Sequence, residues 1–460
     1  MRALLEDIAA ESDGFVEFRY HHRSRQTLDV SKGRLENSSA MHRTGVGVRV
    51  LEDGTWGFSS TNMLDRDAIR SAVDRARRAA KASAPHRSSR IERLAQERLA
   101  RGEFEEPGVD EVLNRPVEEK IALAMETEST ARAASSQVPS ARCRYDEIYE
   151  DKIVVTTDGA SVRSRLVRPQ LVVQAVAEAQ GERSSHAETI GVTGGWDCLF
   201  RTGPSQMAEK AARTAVDLLS AGFPDGGRTT VILAPSIVGL LVHEAIGHTV
   251  EADFVLSGSV AAGKLGQRVG SELVTLCDAG ASAYAAGAAG TLPVDDEGVL
   301  TQETVIIDQG ILNSYLHNRE TAAHFGVEPT GNARAWEYAD QPLIRMRNTF
   351  LRPGDQTLEE IIASTPNGLL LDGPRNGQAD ATGEFTFGVS RATRIRDGKP
   401  CELLRGVTIT GIAFEVLQTV DAVSREFRWD MGAGYCGKGQ PAKVDAGGPF
   451  IRCQALVGGR

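Results

Sequence analysis

The run Gly222-Phe223-Pro224-Asp225-Gly226-Gly227 puts three glycines and a proline into six positions near the middle of a 460-residue chain. No helix interior or central strand runs comfortably through such a sequence. Proline removes a backbone donor, and each glycine loses more conformational freedom on ordering than any other residue. A chain of this length also exceeds one ordinary hydrophobic core. The run is therefore read as the boundary between an N-terminal domain, residues 1–221, and a C-terminal domain, residues 228–460.

Before the boundary, strand and helix periodicities alternate. Phe15-Val16-Glu17-Phe18-Arg19-Tyr20 looks like an early strand. Val46, Val48 and Val50 alternate with Gly47 and Arg49, Asp53-Gly54 supplies a turn, and Trp56 and Phe58 resume the alternation. That pattern predicts a β-hairpin. From Asp65 onward Ala68, Ile69, Ala72, Val73, Ala76 and Ala80 recur at helical spacing. A second helix is predicted over 117–134, a second hairpin around Asp158-Gly159, and a third helix over 207–221. The stretch from Pro85 to Pro107 is charged and weakly periodic, and reads as a connecting excursion.

After the boundary, Thr229-Thr230-Val231-Ile232-Leu233 reads as a buried strand, and Ala234-Pro235-Ser236 opens a helix with Pro235 in its first turn. The remainder is rich in Gly, Val and Ile. Turns are expected at Cys277-Asp278-Ala279-Gly280, Asp296-Glu297-Gly298, Asp308-Gln309-Gly310 and Asp397-Gly398-Lys399-Pro400. The expected fold class is α+β: a mixed α/β N-terminal domain followed by a strand-rich C-terminal domain. No internal repeat is visible in the sequence.

Charge and composition exclude several roles. A net charge of −10 argues against nucleic-acid binding, which needs Lys and Arg in excess. The arginines between Arg75 and Arg101 are interleaved with Glu92 and Glu97, as on a solvated segment. No apolar run approaches the length of a membrane span, and the N-terminus has two acids within its first seven residues, unlike a signal peptide. Six scattered cysteines form no disulfide framework, so the expected compartment is the cytoplasm.

The chemistry concentrates in His243-Glu244-Ala245-Ile246-Gly247-His248. Neutral imidazoles bind zinc, and a carboxylate beside a ligand is placed to take a proton from water. The histidines stand five apart rather than the usual four, which separates their side chains by roughly 140° on an ideal α-helix. The helix can widen into a π-type turn, bend or end near Gly247, or leave His248 out of the site. A histidine beside Leu240, Leu241 and Val242 also suits a satisfied core position. For a third ligand, Glu251, Asp253, His317, His324 and the cysteines are candidates. Cys436 stands out in Gly434-Tyr435-Cys436-Gly437-Lys438-Gly439, where small neighbours allow close approach and Lys438 can favour the thiolate. A loop cysteine with no role reads equally well.

The run from His243 to Phe254 resembles the active-site segment of the TldD/PmbA peptidases, on the TldD side. Thr44-Gly45-Val46-Gly47-Val48-Arg49-Val50, Val294-Asp295-Asp296-Glu297-Gly298, Pro329-Thr330-Gly331-Asn332-Ala333-Arg334, Met346-Arg347-Asn348-Thr349-Phe350, Cys436-Gly437-Lys438 and Val457-Gly458-Gly459 follow in the family's order. The resemblance implies a zinc peptidase, with iron the alternative metal. His243, His248 and Cys436 would be the ligands and Glu244 the general base. It implies an unfolded peptide substrate held in extended form against a strand edge. It also implies a dimer, either with a PmbA (TldE)-like subunit or with itself. Asn332, Arg334 and Asn348 lie in polar, family-like segments that offer oxyanion stabilisers, without a role assigned to any. The family's label as a modulator of DNA gyrase finds no support in the acidic charge.

Overall fold

Seven strands from the first 191 residues form one sheet in the computed structural model, which describes residues 1–87 and 89–459. They are β1 (Phe15–Ser31), β2 (Arg34–Glu52), β3 (Thr55–Thr61), β4 (Arg101–Glu105), β5 (Ser140–Thr156), β6 (Ser161–Ala179) and β7 (Glu182–Gly191). Their order is β3-β2-β1-β5-β6, with β4 and β7 both lying along the far side of β6. Only the β4–β6 pairing is parallel. The Asp53-Gly54 turn takes φ of 51° and 70°, the left-handed pair that a tight two-residue hairpin requires.

Helix Arg66–Ser83 starts where Asp65 accepts a hydrogen bond from the Ala68 N–H at 2.8 Å. It buries Ile69, Ala72, Val73, Ala76 and Ala80, and its core contacts include Val46, Val48 and Val50 of β2. Helices Val117–Ala133 and Pro204–Asp217 cover the other half of the sheet, where Ala124, Ala131, Ala208 and Ala211 share a core with Tyr145, Leu171 and Val173. A helix, a three-stranded meander and a second helix thus occur twice in succession. The two copies join through the antiparallel β1–β5 pairing, with Ser24 opposite Tyr149 near its midpoint. This duplication exists in the structure although the sequence shows no repeat.

Two sequence expectations change. The charged excursion contains β4, whose residues alternate between exposed Arg101, Glu103 and Glu105 and half-buried Gly102 and Phe104. One apolar side chain was too little to signal a strand. The turn expected at Cys277 to Gly280 is instead a buried strand, Leu276–Ala279, in a six-stranded sheet. Asp278 can lie there because the Arg347 backbone N–H and Nε each donate to it at 2.8 Å, joined by Asn332 Nδ2 at 2.9 Å and Thr349 Oγ1 at 3.0 Å. The turns at Gly298, Gly310 and Gly398 form as expected, each glycine with positive φ.

In the C-terminal half, strand Gly227–Leu233 lies between Asn367–Ala379 and Ile451–Gly458. Pairing continues through Val407–Ile412 to Glu384–Arg396, which pairs back onto Asn367–Ala379 and closes the circuit. The helix opening at Pro235 packs against strands of both this sheet and the six-stranded one. Ile237, Leu241, Val242 and Ile246 belong to the largest core of the protein. The architecture is a strand-rich α+β fold.

Candidate metal centre

The helix from Pro235 is α-helical to Leu240, becomes π-helical over Leu241–Gly247, and ends in a 3-10 turn, His248–Val250. One bond shows the widening directly: the His248 N–H donates to the His243 carbonyl, five residues back. The wider turn brings the two imidazole centroids to 5.3 Å. Of the geometries open to the sequence, this is the one adopted. Close packing at Gly247 goes with it. A Cβ there would sit 1.9 Å from Met346 Sδ, so only glycine lets the end of the helix press against that side chain.

Cys436 comes from 188 positions beyond His248. It lies on a short hairpin, Tyr435–Gly437 paired with Pro441–Lys443. Arg345 holds the hairpin by donating to the Cys436 and Gln440 carbonyls, both at 2.7 Å. The Cys436 Sγ lies 3.1 Å from His248 Nε2. Donor atoms of His243, His248 and Cys436 all fall within 4.8 Å of one another.

These residues fit a zinc-like ion. Tetrahedral zinc with nitrogen and sulfur ligands spaces its ligand atoms about 3.5 Å apart, and here one edge measures 3.1 Å and none exceeds 4.8 Å. His243 is wholly buried, and neither of its ring nitrogens has a hydrogen-bond partner. An unmet buried polar group costs about 1–3 kcal/mol, and ligation would remove that cost. Burial pushes the Cys436 thiol up, but the field of His243 and the contact with His248 outweigh it and bring the group down to about 4. Burial would lower His248, yet hydrogen bonds with Cys436 and Glu251 hold it up at about 10. Both shifts favour the charged form of the group, and a bound cation would take the place of the proton the two share.

Glu244 stands on the solvent side of this cluster. Its side chain is 31% exposed, and Oε2 lies 3.9 Å from His248 Nε2. With His248, Thr249, Phe254, Ser259 and Gly437 it lines a cleft of about 270 Å³.

The remaining sequence candidates go elsewhere. Glu251 accepts from His248 Nδ1 at 3.2 Å, behind the donor triangle. Lys438 turns its ammonium to Glu251 and Asp253. His317 is a core residue, 3.2 Å from Thr321 Oγ1 and packed by the rings of Tyr315 and Phe325. His324 lies on helix Arg319–Phe325, outside the cluster. Asn332 and Arg334 brace loops: Asn332 donates to Asp278 and the Arg345 carbonyl, Arg334 to the Met346 and Lys443 carbonyls. Asn348 does the same toward the Ala281 carbonyl and Thr291. None of these three lines the cleft. Sequence reasoning missed Arg345 and Met346 as supports of the site. Their only signal was position in a polar segment.

Two histidines and a remote thiolate beside a glutamate, with His248 and Glu244 lining an open cleft, form the layout of a metal-dependent hydrolase. Family models match three consecutive parts of the chain: PmbA/TldA metallopeptidase domain 1 over residues 16–80, the central domain over 110–219 and the C-terminal domain over 226–458. The chain belongs to this PmbA/TldD metallopeptidase family. A metalloprotease of Methanocaldococcus jannaschii is 34% identical, with 97% of each chain aligned. A zinc metalloprotease TldD homolog of Saccharolobus solfataricus is 29% identical over 97% of this chain and 96% of its own. TldE from Thermococcus kodakarensis has the same fold, with a TM-score of 0.81 over 99% of this chain and 100% of that one, at 16% identity. The relatives and the family support a metal-dependent peptidase. Among the described residues no helix is long and apolar enough to cross a membrane.

Proposed function

We propose that the chain is a zinc peptidase acting on unfolded or extended peptides, with His243, His248 and Cys436 as metal ligands and Glu244 as general base. The observation that carries the reading is the convergence of those three donors beside a partly exposed glutamate. Zinc held there would supply Lewis acidity toward water and the scissile carbonyl. Glu244, at the wall of the cleft, takes the proton of the attacking water and returns it to the departing amine. His243, buried and with no hydrogen-bond partner on either ring nitrogen among the described residues, has a nitrogen free for the site. Strand Tyr435–Gly437 pairs only with Pro441–Lys443 among the described strands; Arg345 occupies its Cys436 carbonyl, and an extended peptide would meet the remaining groups of that edge, beside the cleft.

Glu244→Gln should retain metal and lose peptide hydrolysis by about 10²–10⁴-fold. Undiminished cleavage of an unstructured peptide mixture by that variant ends the mechanism. Cys436→Ser should carry less zinc, because a hydroxyl is a poor substitute for a thiolate. Full metal content in that variant removes Cys436 from the ligand set. The same reading has the chain working as a dimer, with a PmbA/TldE-like subunit or with a second copy of itself. Light scattering of the pure protein and of a coexpressed pair distinguishes these, and a monomer in both would end the dimer.

A further inference from the structure

The metal donors come from two segments far apart in sequence, and one ammonium ties the segments together. Lys438, two residues beyond Cys436, donates to Glu251 Oε2 at 2.9 Å, to the Asp253 carboxylate at 2.7 and 2.9 Å, and to the Ile344 carbonyl at 3.1 Å. Its side chain is 11% exposed, and the Phe254 ring lies 4.2 Å from the ammonium. All three N–H donors of a lysine are committed by such a set. That leaves none for a substrate.

Glu251 is the other end of the tie. Its side chain is wholly buried, and Oε2 accepts from His248 Nδ1 as well as from Lys438. The backbone around it is pinned, since the Ala252 N–H donates to the Leu316 carbonyl and the Leu316 N–H to the Val250 carbonyl, both at 2.9 Å. The carboxylate is thus a fixed post against which the imidazole is set. A carboxylate on Nδ1 keeps the proton there and turns Nε2 outward, here toward Cys436 Sγ at 3.1 Å. An unpaired buried carboxylate would be costly. The ammonium offsets that cost and at the same time fastens the Cys436 turn to the histidine segment.

We propose that Glu251 and Lys438 are positioning residues of the metal centre. Glu251 orients His248, and Lys438 locks the Cys436 turn against the histidine-bearing segment, so that the chain's own contacts assemble the donor triangle. The inference rests on the metal reading above and adds two residues that never touch the ion. It predicts a loss of metal affinity with the ligands themselves intact.

The test uses the full chain with zinc, titrated against a chromophoric chelator, and with cobalt(II) as a spectroscopic substitute. Glu251→Gln and Lys438→Met should each weaken zinc binding by about 10–100-fold and displace the cobalt absorption bands. Lys438→Arg should recover part of the affinity. Asp253→Asn, on a partly exposed partner, should show a smaller loss in the same direction. Unchanged zinc affinity and cobalt spectra in folded Glu251→Gln and Lys438→Met would overturn the proposal while the metal centre stands. Failure of both Lys438→Met and Asp253→Asn to fold would overturn it too, by assigning the cluster to stability alone. Wild-type protein that takes up neither metal would instead refute the metal reading.

Discussion

At the scale of single residues, what a buried histidine can do depends on what faces it. His317 and His243 are both buried, but His317 meets Thr321 and two aromatic rings, whereas His243 meets a thiol and a second imidazole. Burial alone pushes His317 down to about 4. Its neutral form is therefore the one that fits the fold. The unfolded chain takes up a proton on this residue near pH 6.5, and the folded chain does not until about pH 4. Stability from this group is complete above pH 6.5 and declines as the pH falls through that window, by on the order of 3 kcal/mol. Thermal midpoints between pH 7.5 and 4.5 should fall less steeply in His317→Gln than in the wild type. Parallel slopes would show that His317 takes up its proton as readily in the fold as in the unfolded chain. The sequence offered His317, Glu251, Asp253 and Cys436 as comparable third ligands because their donor chemistry is comparable. Local context made Cys436 stand out, but only the resemblance to a family settled on it, and nothing in the spacing revealed that Glu251 stands behind His248. The Cys436 assignment depends on a contact across 188 residues of chain, and that of Glu251 on how the backbone turns in the three residues after His248.

At the scale of elements, the π-helical segment is where local sequence and tertiary contact meet. Its seven residues are stabilised by packing, with Leu241, Val242, Ala245 and Ile246 all buried. The contact most open to test is that of Gly247 with Met346, itself wholly buried. Gly247→Ala should destabilise the protein by about 1–3 kcal/mol through overpacking, and should weaken metal binding by disturbing the turn that aligns the histidines. In a Met346→Ala background the same substitution should cost less, giving a coupling energy above about 0.5 kcal/mol in a double-mutant cycle of thermal or denaturant unfolding. Strictly additive costs would mean that this contact does not shape the segment. The five-residue spacing of His243 and His248 posed this geometry as one of three, and a helical wheel could not choose because the segment's packing partners, Met346 among them, lie about a hundred residues away in sequence. Hairpins and helices with clean periodicity, such as the one capped by Asp65, were legible for the opposite reason: their determinants lie within a few residues. Strand Leu276–Ala279 was not, since Asp278 reads as a turn residue until Arg347 is placed against it.

At the scale of the whole molecule, both faces of the N-terminal sheet are covered, by different means. On β1, Val16 and Phe18 face an apolar core, while Glu17, Arg19, His21 and Arg23, on the alternate positions, are buried as well. Such alternation ordinarily marks one dry and one wet face. Here the second face meets complementary groups from the C-terminal half, and a charged strand looks the same in sequence whether water or an opposite charge lies opposite it. Arg49 is the clearest case, 2.8 Å from Glu17 within the sheet and 2.5 Å from Glu297 across the junction, with all three buried. Lys152 adds a bond to Asp296 at 3.1 Å, and Arg19 donates to the Glu337 carbonyl at 3.0 Å. Burial pushes the Glu17 carboxyl up, and only Arg49 opposes this strongly while Glu297 reinforces it. Arg49→Met would leave two buried carboxylates facing each other, and losing one partner of such a set costs about 3–5 kcal/mol. Because the set spans the two halves, the loss should fall on their coupling. Calorimetry should show one transition for the wild type and a lower, broadened or divided one for Arg49→Met. Adding Glu297→Gln to that variant should restore part of the loss, since it removes the charge that Arg49 had balanced. If Arg49→Met unfolds in a single transition at the wild-type temperature, water reaches these carboxylates and Arg49 does not couple the halves.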